Sequence, residues 1–151
     1  MRAALLIHLL GAIIWIGGMF FAYVALRPAA ARLLEPPQRL PLWRETLGRF
    51  FTWVWISIAA LFASGVHMLA SAYGFKSAPP YVLAMMAIAT LMTVIFLYVY
   101  FGCFKALVQH VDNADWKTAG AALNRIRRLV AANLVLGIAT VIVAVVGGVL
   151  A

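Results

Sequence analysis

Two of the three histidines stand in stretches with almost nothing else polar. His8 lies in ALLIHLLGAIIWIGG (Ala4–Gly18), and His67 follows Ala59, Ala60, Ala63, Ser64 and Gly65 in a second apolar run. An ionisable side chain inside a membrane span is costly and marks a functional position by default. An imidazole there can bond a neighbouring helix, carry a proton or ligate a metal. Met85 and Met86 add thioethers, and imidazole with thioether suits copper(I) or the axial positions of haem. Other catalytic equipment is missing. No Asp or Glu falls within an apolar run, and there is no Ser-His-Asp arrangement, phosphate-binding Gly-rich loop or HExxH. No catalytic residue is assigned, and the chemistry left is metal coordination or electron transfer. The single cysteine, Cys103, excludes an internal disulfide and a CxxC site and reads as a small packed residue.

The elements that carry these residues are membrane helices. Hydrophobic residues make up 66% of the chain and charged residues 11%, too few charges for a soluble domain of this size. Apolar runs at about 3–26, 50–73, 81–104 and 129–150 each reach the roughly 20 residues that cross a bilayer as a helix. The fold class is all-α, an integral-membrane antiparallel four-helix bundle in one transmembrane domain, 1–151. The first run exceeds a signal-peptide core and is expected to be retained. Pro28, Pro36, Pro37 and Pro41 argue against continuous helix across 27–49, with Trp43 at the interface. The stretch 105–128 reads as more helical, with caps offered by Asp112–Asp115.

Ten basic residues fall in the two connections 27–49 and 105–128, against Arg2 and Lys76 on the other side. This asymmetry places the basic connections in the cytoplasm and both termini in the periplasm of a bacterial plasma membrane. The net charge of +8 is thereby assigned to lipid rather than nucleic acid. In that topology His8 and His67 both lie roughly 8–9 Å below the outer surface, on antiparallel neighbours. Gly11, Trp15 and Gly18 continue the His8 stripe; Ala60, Ala63, Ser64 and Ser71 flank His67. Met85 and Met86 reach the same layer, Met19 and Met92 lie deeper, and Met68 points elsewhere. The small residues allow close helix packing or room for a flat cofactor, close packing being the default. His110, beside Asp112, reads as a solvated surface residue.

The first run, LLIHLLGAIIWIGGMFFAYVALRPA (Leu5–Ala29), resembles the opening of the copper-resistance CopD-type membrane domain: a His, then Trp-x-Gly-Gly, then Arg-Pro, here His8, Trp15, Gly17, Gly18, Arg27 and Pro28. The last run, Arg127–Gly148, is similar to that domain's closing segment. The first-run pattern is also similar to HemJ, a four-helix b-haem protein, whose last helix usually opens on an Arg-Phe-Asn-Glu type stretch; this chain has Leu123-Asn124-Arg125 and no such glutamate. CopD-like is the preferred resemblance. It implies a metal centre near the periplasmic face in copper uptake or handling, with His8, His67, Met85 and Met86 as ligands. The alternative is a b-type haem oxidoreductase with His8 and His67 as axial ligands, Trp15 alongside, and Arg2 or Lys76 within reach of the propionates. A third is an accessory protein whose histidines only tie helices together. Expected partners are the bilayer, then a quinol or a periplasmic copper or redox protein; a homo-oligomer is an option.

Overall fold

The structure, a computed structural model, describes residues 1–74 and 77–150. Among the described residues four helices are long and apolar enough to cross a membrane: α1 (Arg2–Leu33), α2 (Pro36–Ala72), α3 (Pro80–Asp112) and α4 (Trp116–Leu150). No strand occurs among the described residues. The all-α membrane bundle read from the sequence is the architecture found.

The helices run well past the apolar stretches at the basic end. The 37 residues of α2 span roughly 55 Å, far more than the roughly 30 Å of hydrocarbon. The prolines do not break helix across 27–49 as expected; only Leu34 and Glu35, both extended, interrupt it. The reason is positional. Pro36 and Pro37 occupy the first turn of α2, where a missing N–H costs nothing, and Pro41 follows one turn later. Pro28 comes just after a π-helical turn, Phe21–Leu26, where the Arg27 N–H bonds the carbonyl of Ala22. Such a turn shifts the hydrogen-bond register and accommodates the absent donor of proline. A second π turn, Val99–Phe104, lies at the corresponding depth of α3. The stretch 105–128 is helical, interrupted at Asn113–Asp115, and continues into α4 without a separate short helix. Asp115 caps α4, its carboxylate accepting from the Thr118 N–H at 3.2 Å.

Packing runs α1 on α2 and α3 on α4, with α4 also meeting α1 and α2. The tight core lies toward the basic end. Phe51 meets Phe96, Phe104 and Tyr100 edge-on at 5.4, 5.1 and 6.1 Å between centroids. Met19, Leu40, Val54, Leu107 and Ile126 are fully buried around it. Trp43 is buried in this core, not resting at an interface, because α2 is helical through it. Cys103 is packed here too. Toward the termini the bundle loosens: nothing in 2–10, 80–91 or 138–149 is buried. Its apolar side chains there face lipid, which is the environment that stabilises them.

Candidate functional site

His8 sits in the loose end, half-buried on the stripe that continues through the buried Gly11, Trp15 and Met19. Its Nδ1 lies 2.9 Å from Ser64 Oγ on α2. The Ser64 hydroxyl donates its one proton to the Ala60 carbonyl, as an intrahelical serine can. With that proton on the Ala60 carbonyl, the hydrogen-bond network assigns the imidazole proton to Nδ1, with Ser64 Oγ accepting. In that tautomer the Nε2 lone pair has no hydrogen-bond partner among the described residues. The ring lies over Gly65, where a Cβ would stand 3.4 Å from His8 Cε1.

One turn deeper the helices touch. A Cβ on Gly11 would come within 3.2 Å of Leu61 Cγ and 3.3 Å of the Ser57 carbonyl. The small residues between α1 and α2 are thus spent on close packing. At the level of Gly11 the two helices leave no gap for a macrocycle, so the residues there do not fit a haem edge between these helices. Trp15 is buried, edge-on to Phe96 at 6.4 Å, and belongs to the core.

The other expected site residues are more scattered. His67 lies one turn beyond Ser64 toward the termini end and is exposed. Met85 is half-buried and Met86 exposed on α3, which packs chiefly against α4 rather than against the His8 groove. Arg2 is exposed at the start of α1. Lys76 lies outside the described residues. No cluster of three His, Cys, Asp or Glu able to hold a metal occurs among the described residues. His110 is not simply solvated: it is half-buried, its ring 3.4 Å from Asp115 rather than beside Asp112.

Sequence reasoning placed Ser64 on the His67 face; in the fold it is the partner of His8. It also passed over Asn133, buried in α4, whose amide donates to the Met92 carbonyl at 3.0 Å and ties α4 to α3. The available signal was that Asn133 is the one amide between 129 and 150.

Taken together, these features define a multi-pass helical membrane protein with a histidine mouth at one end and a basic, tightly packed other end. The chain belongs to the CopD family: the model described as Copper resistance protein D matches residues 44–147. That match takes in His67, Met85, Met86 and Asn133, while His8 and the Trp15-x-Gly17-Gly18 motif lie ahead of it. No curated protein and no solved structure matches the chain.

Proposed function

We propose that this CopD-family protein takes up or handles copper at the end of the bundle that carries its termini, with His8 as the anchoring ligand. The observation that supports this most is the chain from His8 through Ser64 to the Ala60 carbonyl. A ligating histidine commonly donates its other ring N–H to a fixed acceptor, which sets ring orientation and raises the basicity of the ligating nitrogen. His67 is the exposed imidazole that an arriving ion meets first, and His8 holds it in the mouth of the groove. Thioether from Met85 or Met86 would complete a soft set suited to copper(I) were α3 to approach the groove. Copper is cargo here, so weak, incomplete coordination that allows release is an asset. The charge asymmetry supports a periplasmic position for this end, in a bacterial plasma membrane.

The test is a copper(I) titration of detergent-purified protein against a chromophoric chelator. The parent is expected to retain copper, Ser64→Ala to bind about 10–100-fold more weakly, and His8→Ala to lose it. His110→Ala should match the parent. Equal retention by the parent and His8→Ala overturns the assignment. A Soret band that shifts on dithionite would establish the haem reading in its place.

A further inference from the structure

At the basic end a cavity of about 440 Å³ opens between α1, α2 and α4. Its charged lining is one-signed: Arg27 from α1, Arg39 from α2 and Arg127 from α4. The fold forces this meeting. The short Leu34–Glu35 break returns the chain beside itself, bringing Arg39 back toward Arg27, and α4 crosses behind them. Arg27 and Arg39 lie within electrostatic reach of Arg127. Among the described residues no carboxylate pairs with any of the three. Asp112 binds Arg44, Glu45 binds Arg49 and Asp115 faces His110, while Glu35, four residues before Arg39, is exposed and makes no ion pair among the described residues. The Arg27 guanidinium is steadied over the Tyr23 ring at 4.9 Å, a contact that uses none of its N–H donors. Arg127 Nε is buried and has no hydrogen-bond partner in the protein.

Three converging, partly exposed guanidiniums with free donors, of which the Arg127 Nε–H is buried, are unfavourable unless an anion joins them. Arginine forks match the oxygen geometry of phosphate, and a phosphate can answer more than one of the charges. The volume falls in the range of small-molecule sites, about 300–1,000 Å³, and exceeds the need of a bare ion. Trp43 and Trp116 give the cavity apolar walls for the rest of the molecule. We propose that this cavity binds a phosphate ester, its phosphate between Arg27, Arg39 and Arg127 and its carbon portion against the two tryptophans. The ester is a phospholipid headgroup entering from the adjacent leaflet or a soluble phosphate ester; the recognition chemistry is the same. Bound there, it ties the basic ends of three helices together, independently of any copper chemistry at the far end.

Thermal unfolding of the full chain in detergent, followed by tryptophan fluorescence, tests this. One arm adds phosphatidylglycerol, the other glycerol 3-phosphate without lipid. A midpoint rise of about 3–6 °C is expected in at least one arm. A rise with phosphatidylglycerol alone identifies a headgroup site; a rise with glycerol 3-phosphate identifies a site open to soluble esters. Arg39→Gln and Arg127→Gln should abolish the rise, whereas Arg125→Gln, exposed at the same end but outside the cavity, should keep it. Should Arg127→Gln not fold, Arg39→Gln against Arg125→Gln decides alone. No rise in either arm, or an equal rise in Arg39→Gln and the parent, overturns the proposal.

Discussion

Around Phe51, near the basic end, four aromatic rings and a shell of fully buried aliphatic side chains close the space between α2, α3 and α4. Around His8, near the termini, α1 and α2 present small residues, a half-buried imidazole and a hydroxyl, and most neighbouring side chains face lipid. The contrast separates two tasks. Within lipid, helix association rests on van der Waals packing and interhelical hydrogen bonds, so the dense region is where the bundle is held. The open region contributes less to that hold, and it is the end to which the proposed ligand chemistry is assigned.

The largest effect is expected from truncating the dense region. Phe51→Ala removes a ring that contacts four others and should cost about 3–5 kcal/mol in reversible unfolding in detergent. His8→Ala should cost about 1 kcal/mol or less in the same assay, having one hydrogen bond to lose. If the two variants destabilise equally, the division between a holding end and an open end is lost.

Glycines sharpen the comparison. A Cβ on Gly18 runs into the Phe50 ring, so Gly18→Ala should cost about 1–3 kcal/mol. Gly148 has open space, and Gly148→Ala should be neutral or stabilising by up to about 1 kcal/mol. The open end is not uniformly loose, however. Gly147 is covered by Tyr81, and Gly147→Ala should behave like Gly18→Ala, measured by the shift in unfolding midpoint.

Smaller still is the polar tie within the bundle. Asn133→Ala removes the bond to the Met92 carbonyl, and interhelical hydrogen bonds of this kind average about 0.6 kcal/mol. A double-mutant cycle cannot reach a backbone acceptor, so the check is the unfolding midpoint alone. The least effect belongs to pH at the α3–α4 turn. The Thr118 hydrogen bonds hold the Asp115 carboxyl below its ordinary range, with His110 adding a smaller pull. A lowered folded-state value means the cap is fully present above the ordinary carboxylate range, about pH 4, and is lost as pH falls through the lowered value. Protection of the 116–119 amides, taken relative to their intrinsic exchange rate, should therefore fall only in acid, and Asp115→Asn should flatten that dependence.

Much of the bundle was legible because its signal is coarse. Long uncharged runs admit only helices in lipid, and the two loops rich in Arg and Lys distinguish one end from the other. The stripe His8–Gly11–Trp15 was readable as one helix face, and Gly11 does meet α2. What was hidden depends on three-dimensional register. Pro36 and Pro37 read as helix breakers until their place in the first turn is known. Equal depth suggested that His8 and His67 share a face, but depth says nothing of rotation about the helix axis. Ser64, three residues from His67, is the group that turns toward α1. The Arg27, Arg39 and Arg127 cluster was invisible for the same reason, since its members are far apart in sequence and meet only because α1 turns back so sharply into α2.

X-ray absorption at the copper edge of the copper-loaded protein tests the central claim most directly. The account predicts imidazole scattering at about 2 Å in the parent, lost in His8→Ala and kept in Cys103→Ser. Imidazole scattering that survives His8→Ala, or a signal that vanishes with Cys103→Ser, would contradict it.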